Sequence, residues 1–167
     1  MNTDRLREAQ APLKARYKDS PTSAVHTLRA RGRVRQADLS FALETGKPGI
    51  AAGLHPATGG DGSAACSGDM LLEALVSCAG VTLAAVSTSM GIELASATIA
   101  AEGDLDFRGT LGVAKEAPVG FTHIRLRFTL ESTAPADKLQ KLLDLTHRYC
   151  VVAQTLAKSA TIDLALG

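Results

Sequence analysis

Two cysteines, Cys78 and Cys150, carry the chemistry this sequence could perform. Cys78 sits in Asp69-Met-Leu-Leu-Glu-Ala-Leu-Val-Ser-Cys-Ala-Gly80. Cys150 closes Thr146-His-Arg-Tyr-Cys150 ahead of Val-Val-Ala-Gln-Thr-Leu156. A single cysteine in an apolar helix is ordinarily a small core hydrophobe. Two of them with charged partners nearby could instead form a thiol pair that meets an oxidant and closes to a disulfide. The attacking sulfur would have to be a thiolate, and a free thiol with pKa ~8.5 is only a few per cent ionised near neutrality. Burial opposes ionisation. The dipole of the helix that carries Cys78 acts mainly in its first turn, over two turns away. A cation from elsewhere is therefore expected, and lowering the pKa by ~2 units requires about 3 kcal/mol of preference for the thiolate.

Other candidates are weaker. Cys66 lies in a loop with no charged activator beside it and reads as a bystander. No Cys-x-x-Cys occurs, and His26, His55, His123 and His147 form no zinc spacing beyond a lone His147-x-x-Cys150, so no metal site is expected. His55 and His147 suit hydrogen-bonding or surface positions better than catalysis.

Composition excludes several classes. The 167 residues suffice for one domain or one protomer of an intertwined dimer, and 46% hydrophobic with 21% charged residues is ordinary for a globular protein. A net charge of +1 and the absence of Trp argue against nucleic acid and anionic membranes as partners. Three scattered cysteines make no secreted disulfide framework, and the N-terminus has no apolar signal core, so a reducing cytoplasm is expected. Met70 to Met90 approaches the ~20 residues of a bilayer span, but Glu73 and its many small or hydroxylated residues read as a core helix.

The elements that would position the cysteines follow from periodicity. Residues 1–22 are expected as an N-terminal helical extension and 23–167 as a single domain. Val25 to about Leu43 reads as a β-hairpin or meander, and Ile50 to Leu54 as a further short strand. The glycine-rich loop from His55 to Gly68 matches no phosphate-binding fingerprint, yet its length suits a functional loop. A helix over about Asp69–Met90 follows, capped by Ser67 or Asp69 and stopped by Gly91. Ser96–Asp106 and His123–Leu130 are strands, the second with Ile124, Leu126, Phe128 and Leu130 inward and Arg125 and Arg127 in water. Pro135 introduces a helix over roughly 135–150, whose stripe Leu139, Leu142, Leu143, Thr146, Cys150 continues to Ala153 if the helix does. Thr161–Leu166 alternates and closes the chain as a strand. The fold class is α+β, with helices packed against antiparallel sheets.

The stretches Asp69-Met-Leu-Leu-Glu-Ala-Leu-Val-Ser-Cys78 and Arg148-Tyr-Cys-Val-Val-Ala-Gln-Thr-Leu156, with two strands between them, resemble the OsmC/Ohr superfamily of osmotically inducible and organic-hydroperoxide-resistance proteins. The likeness in element order covers roughly residues 25–166. It implies an OsmC-like fold with a long central helix bearing the first cysteine, built as an intertwined homodimer with interfacial sites. It also implies a thiol peroxidase that needs no cofactor. Cys78 would attack an organic hydroperoxide and become a sulfenic acid, Cys150 would condense with it, and an external dithiol would reset the pair.

The resemblance places the activating arginine in the N-terminal β region, among Arg29, Arg31, Arg33 and Arg35, of which Arg31 is the candidate. An arginine fits because its planar fork can donate to thiolate, peroxide and carboxylate together. Asp69 is the first candidate for that carboxylate and Glu73 the second. In one regular helix Asp69 and Cys78 stand about 180° apart, so this role needs Asp69 at the cap, outside the regular turns. Arg108 follows a strand and either faces the mouth of the site or caps a turn; with His55 it is the candidate for contacting substrate. Two features depart from the family pattern: Asp69 where Glu is frequent, and Val151 where a proline frequently follows the second cysteine. They keep open a non-catalytic relative that binds a small apolar ligand in the interfacial pocket.

Overall fold

The computed structural model describes residues 4, 19, 32–35, 40–43, 51–112 and 114–167. The expected N-terminal helical extension lies outside the described residues but for Asp4 and Asp19. By their contacts the described residues divide into two compact units. One comprises 74–100 and 126–167 with the described part of 1–19; the other comprises the described part of 20–73 and 101–125.

In the second unit, β1 (Gly32–Arg35) and β2 (Ser40–Leu43) form the antiparallel hairpin that the sequence suggests, with Val34 opposite Phe41. β3 (Ala51–Gly53) adds antiparallel to β2. The glycine-rich loop returns as β4 (Ala65–Cys66), which pairs parallel with β3 and completes the order β1-β2-β3-β4. Across the loop, His55 starts a single 3-10 turn at Pro56–Thr58.

Helix α1 runs Ser67–Met90. It stops as the sequence leads one to expect: Gly91 takes φ 66°, and the N–H groups of Ile92 and Gly91 donate to the carbonyls of Ser87 and Thr88. That is the paired closure a left-handed residue permits, with Ile92 folding back on the helix. By length and composition α1 could cross a membrane. Its Leu75, Ala79, Leu83 and Ser87 nonetheless recur every four residues and are buried within the chain.

β5 (Ser96–Leu105) and β6 (Phe121–Glu131) form a two-stranded sheet. Ala95 bonds to Glu131 at one end and Thr122 to Asp104 at the other, so the strands run antiparallel. Gly103 makes room for the Phe121 ring, which a Cβ there would meet at 2.5 Å. Between the strands, Phe107–Thr110 makes one helical turn, α2. Arg125 is not simply solvated: it holds Asp104 with both fork nitrogens and Glu102 at 3.3 Å.

Helix α3 spans Ala136–Tyr149, with Pro135 at its N-cap rather than just inside it. Its stripe gives the core of the first unit, where Leu142 packs with Leu83 and Ile92 among Val86, Ile99, Phe128, Leu130, Leu139 and Leu143. Thr146 is fully buried, and its hydroxyl donates to the Leu142 carbonyl at 2.7 Å. The helix then breaks at Cys150, and a separate helix α4 runs Val151–Lys158. The expected final strand does not form: residues 160–167 are irregular, with Ile162 81% and Leu164 93% exposed. The alternation is present, but the segment finds no hydrogen-bonding strand among the described residues, and without one a β pattern is not a strand.

Candidate thiol site

Both cysteines lie in the first unit, and the break after α3 is what sets their chemistry. The N–H of Cys150 still closes α3 on the Thr146 carbonyl at 2.9 Å, but its backbone is extended at φ −72°, ψ 106°. The chain turns there and starts again. The Cys150 carbonyl accepts the first bond of α4, from the N–H of Gln154 at 2.9 Å. The N–H groups of Val151, Val152 and Ala153 therefore have no helical acceptor behind them, and they lie close enough to the two sulfurs to favour a thiolate there. The Gln154 side chain braces the turn by donating to the His147 carbonyl at 3.0 Å.

Cys78 is half-buried on α1, between buried Leu75 and Ala79. Burial pushes its thiol up. The N–H of Val152, the Cys150 thiol and the N–H of Val151 act on it as donors, with the Thr82 hydroxyl beside it the smallest influence, and together they bring it below the ordinary thiol value. Cys150 is 1% exposed and moves the other way. Burial raises it first; the N–H groups of Ala153 and Val152 oppose this, but the hydrogen bond to Cys78 and the charge that gathers there raise it further. The structure thus brings the two cysteines into side-chain contact, with the charge favoured on Cys78 and the proton on Cys150. From the sequence, a side-chain cation was the expected source of this stabilisation. The donors found here are mostly backbone amides at the start of a helix that the sequence did not separate from α3.

The remaining candidates are placed as follows. Asp69 is exposed and lies in the first turn of α1, which begins two residues earlier at Ser67. The condition that it stand outside the regular helix is not met, so the helical repeat sets it on the side of α1 opposite Cys78. Glu73 is an exposed residue of the same helix. Arg31 lies outside the described residues, and Arg108 falls in the turn α2. His55 takes a structural part in the loop: its Nδ1 accepts the Ala57 N–H at 3.0 Å, and its ring stacks on Phe107 with centroids 4.8 Å apart. Cys66 is a free thiol in β4, half-buried near Phe121. No cluster that could hold a metal occurs among the described residues. Sequence reasoning missed Thr82, whose spacing of four from Cys78 on one helix was the available signal.

Comparison with known proteins agrees with this fold. The sequence profile of the family described as OsmC-like protein matches residues 60–165. The structure is similar to an OsmC-like protein from Mycoplasma pneumoniae at 15% identity, covering 80% of this chain and 89% of that one, with a TM-score of 0.67. It is also similar to an organic hydroperoxide resistance protein from Elizabethkingia anophelis at 12% identity, covering 80% and 91%, TM-score 0.64. The organic hydroperoxide resistance protein OhrB of Bacillus subtilis matches at 17% identity, covering 79% and 93%, TM-score 0.54. No curated protein matches by sequence. With its profile covering more than half of the sequence and its α+β fold shared with these structures, the chain belongs to the OsmC-like family.

Proposed function

We propose that this protein is a cytoplasmic, homodimeric thiol peroxidase that reduces organic hydroperoxides through Cys78 and Cys150. The Cys78 thiolate attacks the terminal oxygen of the hydroperoxide; the O–O bond breaks, an S–O bond forms, and the alkoxide leaves and takes a proton from water. Cys78 is then a sulfenic acid. The Cys150 thiol condenses with it, releasing water and forming the Cys78–Cys150 disulfide. An external dithiol reduces that bond by exchange. The observation that carries this reading is the meeting of two free thiols at the start of α4, Cys78 half-buried and Cys150 sealed; that setting lowers the pKa of the nucleophile and raises that of its partner. The half-buried, apolar setting of Cys78 favours hydroperoxides with an organic tail over small polar ones.

A second copy of the chain suits the surfaces left open. Val81 on α1 is 73% exposed, and Ile162 and Leu164 in the final segment have almost no cover. Apolar exposure of this kind supports a homodimer.

The test is direct. Given cumene hydroperoxide, the reduced protein loses two free thiols per chain, and dithiothreitol restores them; fixed thiol counts under excess peroxide overturn the proposal. A second reading, binding of a small apolar ligand without turnover, is favoured by one feature. A groove of about 330 Å³ runs beside Cys78's helix, lined by Val76, Gly80, Leu83, Leu94, Ala97 and Ile99. Unchanged thiols together with saturable binding of an apolar probe would select it.

A further inference from the structure

Thr82 lies one turn beyond Cys78 on α1 and is half-buried beside it. Its hydroxyl donates to the Cys78 carbonyl at 2.8 Å. In a regular helix that carbonyl already accepts the Thr82 backbone N–H. The hydroxyl bond is therefore a surplus one, and breaking it leaves no buried acceptor unsatisfied. At positions i and i+4 of one helix the two side chains are neighbours, and the same hydroxyl also acts on the Cys78 thiol. It has one hydrogen and two acceptors, and both belong to the residue proposed as nucleophile.

Resting on the thiol reading above, we infer that Thr82 is a further catalytic residue, whose hydroxyl donates to the Cys78 carbonyl while the sulfur is protonated and turns to the sulfur when it ionises. Only the O–H bond rotates. The oxygen stays within 2.8 Å of the carbonyl, so neither the helix nor the side-chain rotamer has to move. A hydrogen bond to a charged acceptor is worth more than one to a neutral carbonyl, so the exchange favours the thiolate. Among the described residues the titratable group facing Cys78 is Cys150, on the junction of α3 and α4, and it donates from the opposite element. The hydroxyl donor is specific to a threonine or serine at position 82.

The experiment reads Cys78 without requiring any peroxide. In a C66S/C150S background Cys78 is the one thiol left, and its alkylation by iodoacetamide is followed as a function of pH by mass spectrometry. T82V, which keeps the shape and removes the hydroxyl, is expected to raise the midpoint by about half to one unit, slowing alkylation near neutrality about threefold to tenfold. T82S, which restores a hydroxyl, is expected to follow the parent. Helical circular dichroism checks that each variant is folded. A T82V curve that coincides with the parent overturns the inference. So does a T82S curve as displaced as that of T82V, because packing of the methyl group would then be the cause. Should T82V fail to fold, the comparison of T82A with T82S gives the same decision. A displaced T82V curve in a protein that consumes no hydroperoxide would sink the proposed function and leave the role of Thr82 standing. Peroxide turnover with an unmoved T82V curve would do the reverse.

Discussion

Cys78 and Cys150 touch each other, and the N–H of Val152 reaches both, yet one thiol is pulled down and the other pushed up. Composition does not separate them, since both sit in apolar helical sequence. Their position relative to α4 does. Cys78 meets the start of that helix from α1, as an acceptor for its first amides, and stays half-buried. Cys150 is the N-cap of α4 and is almost sealed. Once Cys78 carries charge, Cys150 feels it as repulsion. The pair holds one negative charge, and the direction of a helix start decides which sulfur bears it.

The largest test of that asymmetry separates the two thiols. In C66S/C150S, Cys78 should be alkylated readily at neutral pH. In C66S/C78S, Cys150 should react at least about tenfold more slowly. The signs follow from what survives in each variant: burial still raises Cys150 once Cys78 is gone, and the α4 amides still lower Cys78 once Cys150 is gone, so thiolate appears at lower pH on Cys78 than on Cys150. With peroxide, Cys78→Ser should abolish thiol loss, and Cys150→Ser should leave a sulfenic acid trappable by dimedone. Equal alkylation rates for the two single-thiol proteins would erase the comparison.

A second test asks whether the core beneath the junction holds the asymmetry in place. Leu142 is fully buried one turn before Thr146, whose carbonyl anchors Cys150. Leu142→Ala should cost about 2–5 kcal/mol in denaturant unfolding. If the pair depends on this packing, the Cys78 midpoint should also drift toward that of an ordinary thiol. A loss under about 1 kcal/mol would mean that the site rests on other contacts.

Much of this arrangement was legible in the sequence. The long apolar run, Gly91, and the stripe Leu139-Leu142-Leu143-Thr146-Cys150-Ala153 gave α1, its end and the core, because helical periodicity records burial directly. That same stripe hid the break at Cys150. α4 resumes in phase, with Ala153 buried, so the pattern runs unbroken across a chain that is not. No Pro or Gly marks the turn, and the β-branched Val151 and Val152 lower helix propensity only slightly. The donors at the sulfur were illegible for a related reason: a backbone N–H has no letter of its own. The final strand failed differently. Residues 161–166 carry a true period of two, but a strand also needs a neighbour, which a single-chain pattern does not supply.

Val151 offers a smaller and more selective test. It is the first residue of α4, where proline is well tolerated because its missing N–H has no helical acceptor in any case. Cys150 before it is already extended, as a residue preceding proline must be. Val151→Pro should therefore fold normally and delete one donor from Cys78. Its midpoint should rise by about half a unit to one unit, slowing alkylation near neutrality about threefold to tenfold. Cys150 should hold its place, since the amides that act on it are those of Ala153 and Val152. A rise at both thiols would show that the substitution had moved the helix rather than removed a donor.

Gln154 should give the smallest effect, and it sharpens the comparison from the other side. Its side chain spans the break, holding the end of α3 to the start of α4 through the His147 carbonyl. The bond is exposed, so Gln154→Ala should cost no more than about 1 kcal/mol in stability. Its chemical signature should differ from that of Val151→Pro. Loosening the turn draws every α4 amide away from both sulfurs at once, and amides lower both thiols. Both midpoints should therefore rise by about a few tenths of a unit, measured by alkylation of each single-thiol protein across pH. A shift confined to Cys78 would mean that α4 keeps its place without the brace, and that the amides are aimed by the backbone at Cys150 alone.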